Sequence, residues 1–288
     1  MLSSHTADPL AVALARKTGA GSTVGTELAA GDGWWVRDIV CTAGPSDRPF
    51  EERHASVSIS IVLTGTFIYR SELGSCVMSA GALVLGDVGK TFECSHRYGE
   101  GDRCLSFQFA PALFERLAWD AGARGFAFER DRLPPLRVLA EPTARARTAL
   151  ARGGSFEEIA LDLAAAVVRT ARAVERDAAP SASDADRIAP IVRELEAHAA
   201  EPRTLADLAA VARLSRYHFL RTFRGVTGVT PHQWVVRARL RDAAARLATT
   251  RAPVTQIALD VGFDDLSNFI RSFRAEFGTS PRRYRARA

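Results

Sequence analysis

The 288-residue sequence predicts an α+β multidomain chain: an N-terminal β-barrel with a helical hairpin, then an all-α C-terminal region built on a duplicated helix-turn-helix. Three observations carry this prediction. Residues 219–231, F-L-R-T-F-R-G-V-T-G-V-T-P, recur at an offset of 50 as F-I-R-S-F-R-A-E-F-G-T-S-P, residues 269–281. Between Trp34 and Phe109 the residues alternate with the period of strands, broken by glycines. Charge segregates: residues 186–288 hold 18 arginines against 10 acidic residues, a balance of +8, which leaves −3 for residues 1–185.

Taken in order, residues 1–30 are mostly small and polar, with a short helix expected near Leu10 to Lys17. No basic stretch followed by an apolar core opens the chain, and no run approaches 18 apolar residues, so the expectation is a cytoplasmic protein without a membrane partner. Four cysteines without a close-spaced framework agree with a reducing compartment. With 47% apolar and 25% charged residues, the composition is that of a globular chain of about two domains.

A β-domain is expected over 31–112. Val57, Ile59, Ile61 and Leu63 alternate with Ser56, Ser58, Ser60 and Val62, the pattern of a half-buried strand. Leu105, Phe107 and Phe109 alternate with Cys104, Ser106 and Gln108 in a closing strand. Gly65, Gly74, Gly81, Gly86 and Gly99 mark turns of a meander or barrel.

Residues 113–177 turn helical. Pro134 and Pro135 precede one helix to about Arg152, Gly153 and Gly154 break it, and Ser155 with Glu158 predicts a cap for a longer helix to about Arg176. Ile159, Leu163, Val167 and Val174 form its apolar stripe, which packs on the barrel or on a second subunit. Residues 178–186, A-A-P-S-A-S-D-A-D, read as a linker, so two loosely coupled domains are expected.

Within 187–287 each repeat carries the same plan. On a helix, Phe219, Phe223 and Val226 fall on one face, as do Phe269 and Phe273. Tyr217, Arg221 and Arg224 occupy the opposite face, matched by Ser267, Arg271 and Arg274. Gly228 and Gly278 suit left-handed helix ends, with Pro231 and Pro281 beyond. Upstream of each lies a shorter helix: 204–212, opened by a capping box of Thr204 and Asp207, and 254–261. Ser215 caps the first long helix. Residues 232–249, free of glycine and proline, predict a connecting helix of about 27 Å, near the repeat of about 34 Å between major-groove faces. The basic half therefore calls for a polyanion partner.

These residues, and above all I-A-L-D-V-G-F-D-D-L-S-N-F-I-R-S-F-R-A-E-F-G-T-S-P at 257–281, resemble the DNA-binding domain of AraC/XylS-type transcription regulators. The resemblance covers about a third of the chain. It implies double-stranded DNA as partner, with Tyr217 and Arg221 flanked by Arg216 and Leu220 in one reading helix, and Ser267 and Arg271 flanked by Leu266 and Asn268 in the other. Arg224 and Arg274 complete the outward faces. It also implies RNA polymerase as a partner if the protein is an activator, and a homodimer through the helices at 113–177.

The strand region more loosely resembles the cupin-like effector domain of such regulators, S-A-G-A-L-V-L at 79–85 being similar to its glycine turn and following strand. A metal-dependent cupin enzyme needs clustered ligands, usually opened by His-x-His, whereas this region offers only the separate His54 and His96. The expected function is thus a non-enzymatic regulator that requires no cofactor and answers to a small-molecule effector. A cupin enzyme fused to a DNA-binding module and a ligand-free regulator are the alternatives. Cys94 and His96 share a strand face, with Cys104 across the turn at 98–102. Those three suit zinc or a thiol sensor, with a fourth ligand from His54, Cys41 or Cys76; the balance favours plain packing.

Overall fold

The computed structural model describes residues 8–173 and 180–287. Its elements run α1 (Pro9–Ala15), β1 (Thr23–Gly31), β2 (Trp34–Cys41), β3 (Phe50–Arg53), β4 (Val57–Thr64), β5 (Phe67–Ser71), β6 (Gly74–Met78), β7 (Leu83–Gly86), β8 (Thr91–Ser95), β9 (Asp102–Phe109), α2 (Pro111–Asp120) and β10 (Arg132–Leu133). There follow α3 (Ala140–Arg152), α4 (Glu157–Ala173), α5 (Ala182–Ala197), α6 (Leu205–Val211), α7 (Arg216–Thr227), α8 (Pro231–Thr249), α9 (Val254–Asp260), α10 (Leu266–Phe277) and α11 (Pro281–Arg287). The α+β division is as expected. The strands form two antiparallel sheets, ordered β1-β2-β9-β4-β7-β10 and β3-β8-β5-β6.

The apolar stripe of the larger sheet does not line the barrel. Val57, Ile59, Ile61 and Leu63 of β4, with Leu105, Phe107 and Phe109 of β9, share one core with Phe114 of α2 and Ile159, Leu163 and Val167 of α4. Alternation then sends Ser58, Ser60, Val62, Cys104 and Ser106 the other way, toward the second sheet. Ser60 Oγ donates to Ser106 Oγ at 2.9 Å, and Val62 and Cys104 pack with Phe67, Tyr69 and Met78. So β4, expected half-buried, is covered on both faces, and its hydroxyl face looks into the barrel. Helices α2 and α4 find their apolar partner within the same chain. Val174 lies outside the described residues.

The first strand departs from the sequence pattern. Thr23–Gly31 falls in the 1–30 segment, yet β1 pairs with β2 throughout its length, with a bulge between Glu27 and Ala29. It is an edge strand exposed along most of its length, so burial imposed no alternation for the sequence to show.

In the C-terminal half the capping signals behave as written. Thr204 and Asp207 form the reciprocal box of α6, Ser215 caps α7, and Gly228 and Gly278 close α7 and α10 at φ 78° and 69°, where a Cβ would be strained. Helix α8 runs through two cores. Trp234 belongs to the one built on Phe219, Phe223 and Val226, and Leu240, Ala243 and Leu247 to the one built on Phe269, Phe273 and Phe277.

The expected linker is a correction. From Ala182 onward it is helix α5, capped by Ser181, whose oxygen accepts from the Asp184 backbone N–H; residues 178 and 179 lie outside the described residues. The short polar residues that read as linker are cap and first-turn residues. Nor are the halves loosely coupled. Val77 of β6 enters the core of α5 and α7. Tyr98 Oη and Arg97 bond to Asp186, and Arg132 reaches the carbonyls of Val77 and Val226. Gly65 N–H and Thr66 Oγ1 both donate to the Glu196 carboxylate at 3.2 Å. Helix α3 contributes Ala144 to the α8–α10 core and Ala146 and Ala149 to the core between the larger sheet and α4, so it is shared between the halves.

Candidate nucleic-acid interface

Helices α7 and α10 are built alike because their sequences bury the same positions. Phe219 and Phe223, like Phe269 and Phe273, have no exposed surface, and each pair of rings lies 5.6 Å apart. Fixing those faces inward turns the others out. Arg216, Tyr217, Leu220, Arg221 and Arg224 are all exposed on α7, and Leu266, Ser267, Asn268, Arg271 and Arg274 on α10. Tyr217 is 76% exposed. All ten predicted contact residues are thus placed on two free faces.

Two further residues are exposed on these faces. Ile270, 39% exposed, stands where Leu220 stands in the first copy. His218 matches Asn268. The fixed offset of 50 would have found both.

The turns entering the two helices share a backbone bonding pattern. Leu214 N–H donates to Ala209 O at 3.0 Å and Phe263 N–H to Ala258 O at 2.9 Å; Arg213 and Gly262 donate to Ala210 and Leu259. Arg213 takes φ 56° where the second copy has Gly262 at φ 93°. The second turn is one residue longer, and the extra Asp264 precedes the cap Asp265, whose carboxylate accepts from Ser267 N–H at 3.0 Å and Asn268 N–H at 2.9 Å. The 19-residue α8 between them spans about 28 Å. It is braced near its middle: Arg237 pairs with Glu276 of α10 at 3.5 Å, and Arg239 donates to the carbonyls of Ala199 and Gly262.

Of the second group of predicted residues, Cys94 and Cys104 pack in one cluster between the sheets, while His96 bonds to Asp102. Cys94 pairs in register with Tyr69 of β5, whereas Cys104 pairs with Ile39 and Val62. Strands β8 and β9 belong to different sheets, and the turn between them crosses the barrel instead of closing a hairpin. Burial drives the Cys94 and Cys104 thiols well above the usual range, which suppresses the thiolate a sensor needs. His54 lies apart from both. Its Nε2 is 2.7 Å from Tyr69 Oη and its Nδ1 is 3.2 Å from Ser58 Oγ, and burial lowers its pKa to about 4, leaving it neutral.

What does converge is Cys41, His96 and Asp102. Cys41 ends β2 directly opposite Asp102, which begins β9. His96 Nε2 lies 2.6 Å from Asp102 Oδ1. Burial opposes the imidazolium, but the hydrogen bond to Asp102 and the nearby Cys41 outweigh it and hold the pKa near 9. Cys41 and Asp102 are 61 residues apart, which is why spacing alone did not pair them.

Beside His54 lies a cleft of about 260 Å³, lined by Tyr69, Leu73, Leu85, Phe128 and the carboxylates of Glu72, Asp87 and Asp131. Burial raises the pKa of Asp87 and Asp131. Among the described residues no helix is long and apolar enough to cross a membrane.

Two capped helix-turn-helix units on one strut define a helix-turn-helix protein, and residues 208–287 match a family model described as a helix-turn-helix domain. The probable transcriptional regulator LumQ of Photobacterium leiognathi is 38% identical over 90 residues, 31% of this chain and 36% of its own. The regulatory protein SoxS of Salmonella typhimurium is 33% identical over 97 residues, 34% of this chain and 91% of its own. The DNA-binding domain of AdpA, solved with a target DNA, is 35% identical over 35% of this chain and 91% of that one, with a TM-score of 0.34. The chain belongs to the AraC/XylS family of DNA-binding transcription regulators. It spans about a third of the length of LumQ and of the right origin-binding protein of Escherichia coli, 36% and 32%.

Proposed function

We propose that this chain is a sequence-specific transcription regulator that reads double-stranded DNA with α7 and α10 in successive major-groove segments. The observation that carries this is the matched exposure of the two helices over matched buried phenylalanine pairs. Tyr217 and Arg221 read base edges in one segment, with Arg216 and Leu220 beside them; Ser267 and Arg271 do so in the other, flanked by Leu266 and Asn268. Arg224 and Arg274, further along each helix, hold phosphates. A strut of about 28 Å falls short of the groove repeat of about 34 Å, so either the flanking helices make up the difference or the DNA bends toward the protein. Sites selected from random DNA by the full-length chain should contain two short motifs about one turn apart. A single motif, indifferent to Arg271→Ala, overturns the two-headed reading.

The N-terminal half supplies the control. The cleft beside His54 is a concave site whose lining sets Tyr69, Leu85 and Phe128 beside Lys90 and the carboxylates of Glu72, Asp87, Glu129 and Asp131, a form that a small polar effector can occupy. A screen of small molecules for a shift in melting temperature tests this. Effector-independent binding to the selected site, with no shift across the screen, favours the ligand-free alternative. A metal-dependent enzyme draws no support from His54, whose two nitrogens are engaged by Tyr69 and Ser58.

A further inference from the structure

We propose that Cys41, His96 and Asp102 form a binding site for a zinc-class divalent cation that fastens the barrel's docking turn. One ligand atom from each lies within 4.8 Å of the others, and all three residues are buried. They arrive from three separate segments: the end of β2, the turn after β8 and the start of β9. The His96 side chain is 1% exposed, and its Nδ1 has no hydrogen-bond partner. An ion seated between His96 Nε2 and Asp102 Oδ1, 2.6 Å apart, would replace the proton they share, with Cys41 Sγ close enough to serve as the third ligand.

The donor set selects the ion. One sulfur, one imidazole nitrogen and one carboxylate oxygen suit borderline-soft zinc; calcium and magnesium favour oxygen throughout. Three protein ligands leave a fourth position. Cys104 stands beside it, its thiol donating to Asp102 Oδ2 at 3.3 Å.

The location gives the ion its role. The turn from His96 to Asp102 carries Arg97 and Tyr98, which bond to Asp186 of α5, and Gly99, where an added Cβ would meet the Arg193 guanidinium at 2.6 Å. An ion at its base ties that turn to the β2–β9 pair, and so steadies the surface on which the C-terminal half rests.

Full-length protein purified without chelator should carry about one zinc per chain, and Cys41→Ser should lose it while Cys94→Ser keeps it. Cobalt added to chelator-stripped wild-type protein should give a thiolate charge-transfer band, a readout that survives if Cys41→Ser fails to fold. Protein free of zinc, with a melting temperature unmoved by added zinc and no such band, overturns the proposal. So does zinc retained by Cys41→Ser and lost from Cys94→Ser.

Discussion

Thr66 Oγ1 donates to Glu196 Oε2 at 3.2 Å, joining a barrel turn to the first helix of the C-terminal half. Burial pushes the Glu196 carboxyl up to about 7, against the pull of Arg241 on α8, the bonds from Thr66 and Gly65, and Arg147 on α3. Between pH 4.5 and 7 the folded chain therefore keeps a proton that the unfolded chain has released. Folded protein binds more protons in that window, so this group's contribution to stability falls as pH rises and is lowest above 7. Melting temperature should decline across the window in the wild type and decline less in Glu196→Gln. Equal slopes would show that Glu196 does not titrate there.

Arg221→Ala should relax base preference in one half of the selected site and cost about 1 to 3 kcal/mol of binding, provided the guanidinium pairs bidentately with guanine. Arg271→Ala should do the same in the other half. Competition binding against single-base variants of the site measures both. Equal weakening on every sequence would make these arginines phosphate clamps.

Arg213 holds a left-handed conformation, φ 56°, that its counterpart Gly262 adopts freely. Non-glycine residues there carry about 1 to 2 kcal/mol of steric cost. Arg213→Gly should therefore stabilise the folded chain by up to about 1 kcal/mol, the remainder being offset by the unfolded chain's greater freedom. Chemical denaturation decides it, and a loss of stability would mean that the arginine side chain makes compensating contacts.

Phe273 packs against Phe269, Phe277 and Tyr284, with ring centroids 4.6 to 5.6 Å away. Phe273→Ala should cost about 3 to 5 kcal/mol. Because Phe223 sits in the other core, the motif read by α10 should lose protection before that read by α7. Footprints at rising temperature would show the order.

The helix-turn-helix units were legible because local rules and burial agree there. Thr204 with Asp207, Ser215, Gly228 and Gly278 each act on neighbours within a few residues, and the phenylalanine spacing follows directly from helix geometry. In the barrel, alternation identified β4 and β9 but not which face turns inward. The apolar face meets α2 and α4, and that choice depends on helices that follow in sequence.

By itself, then, the sequence determined the duplicated fold, its caps and the ten outward residues, since a repeat of period 50 states its own periodicity. Only tertiary structure decided what depends on distant partners. It turned the apparent linker into α5, docked that helix on the barrel through Asp186 and Glu196, and brought Cys41 and Asp102 together beside His96. The physical reason is that strand pairing sets Cys41 opposite Asp102 across 61 residues of chain, while β8 and β9, adjacent in sequence, enter different sheets.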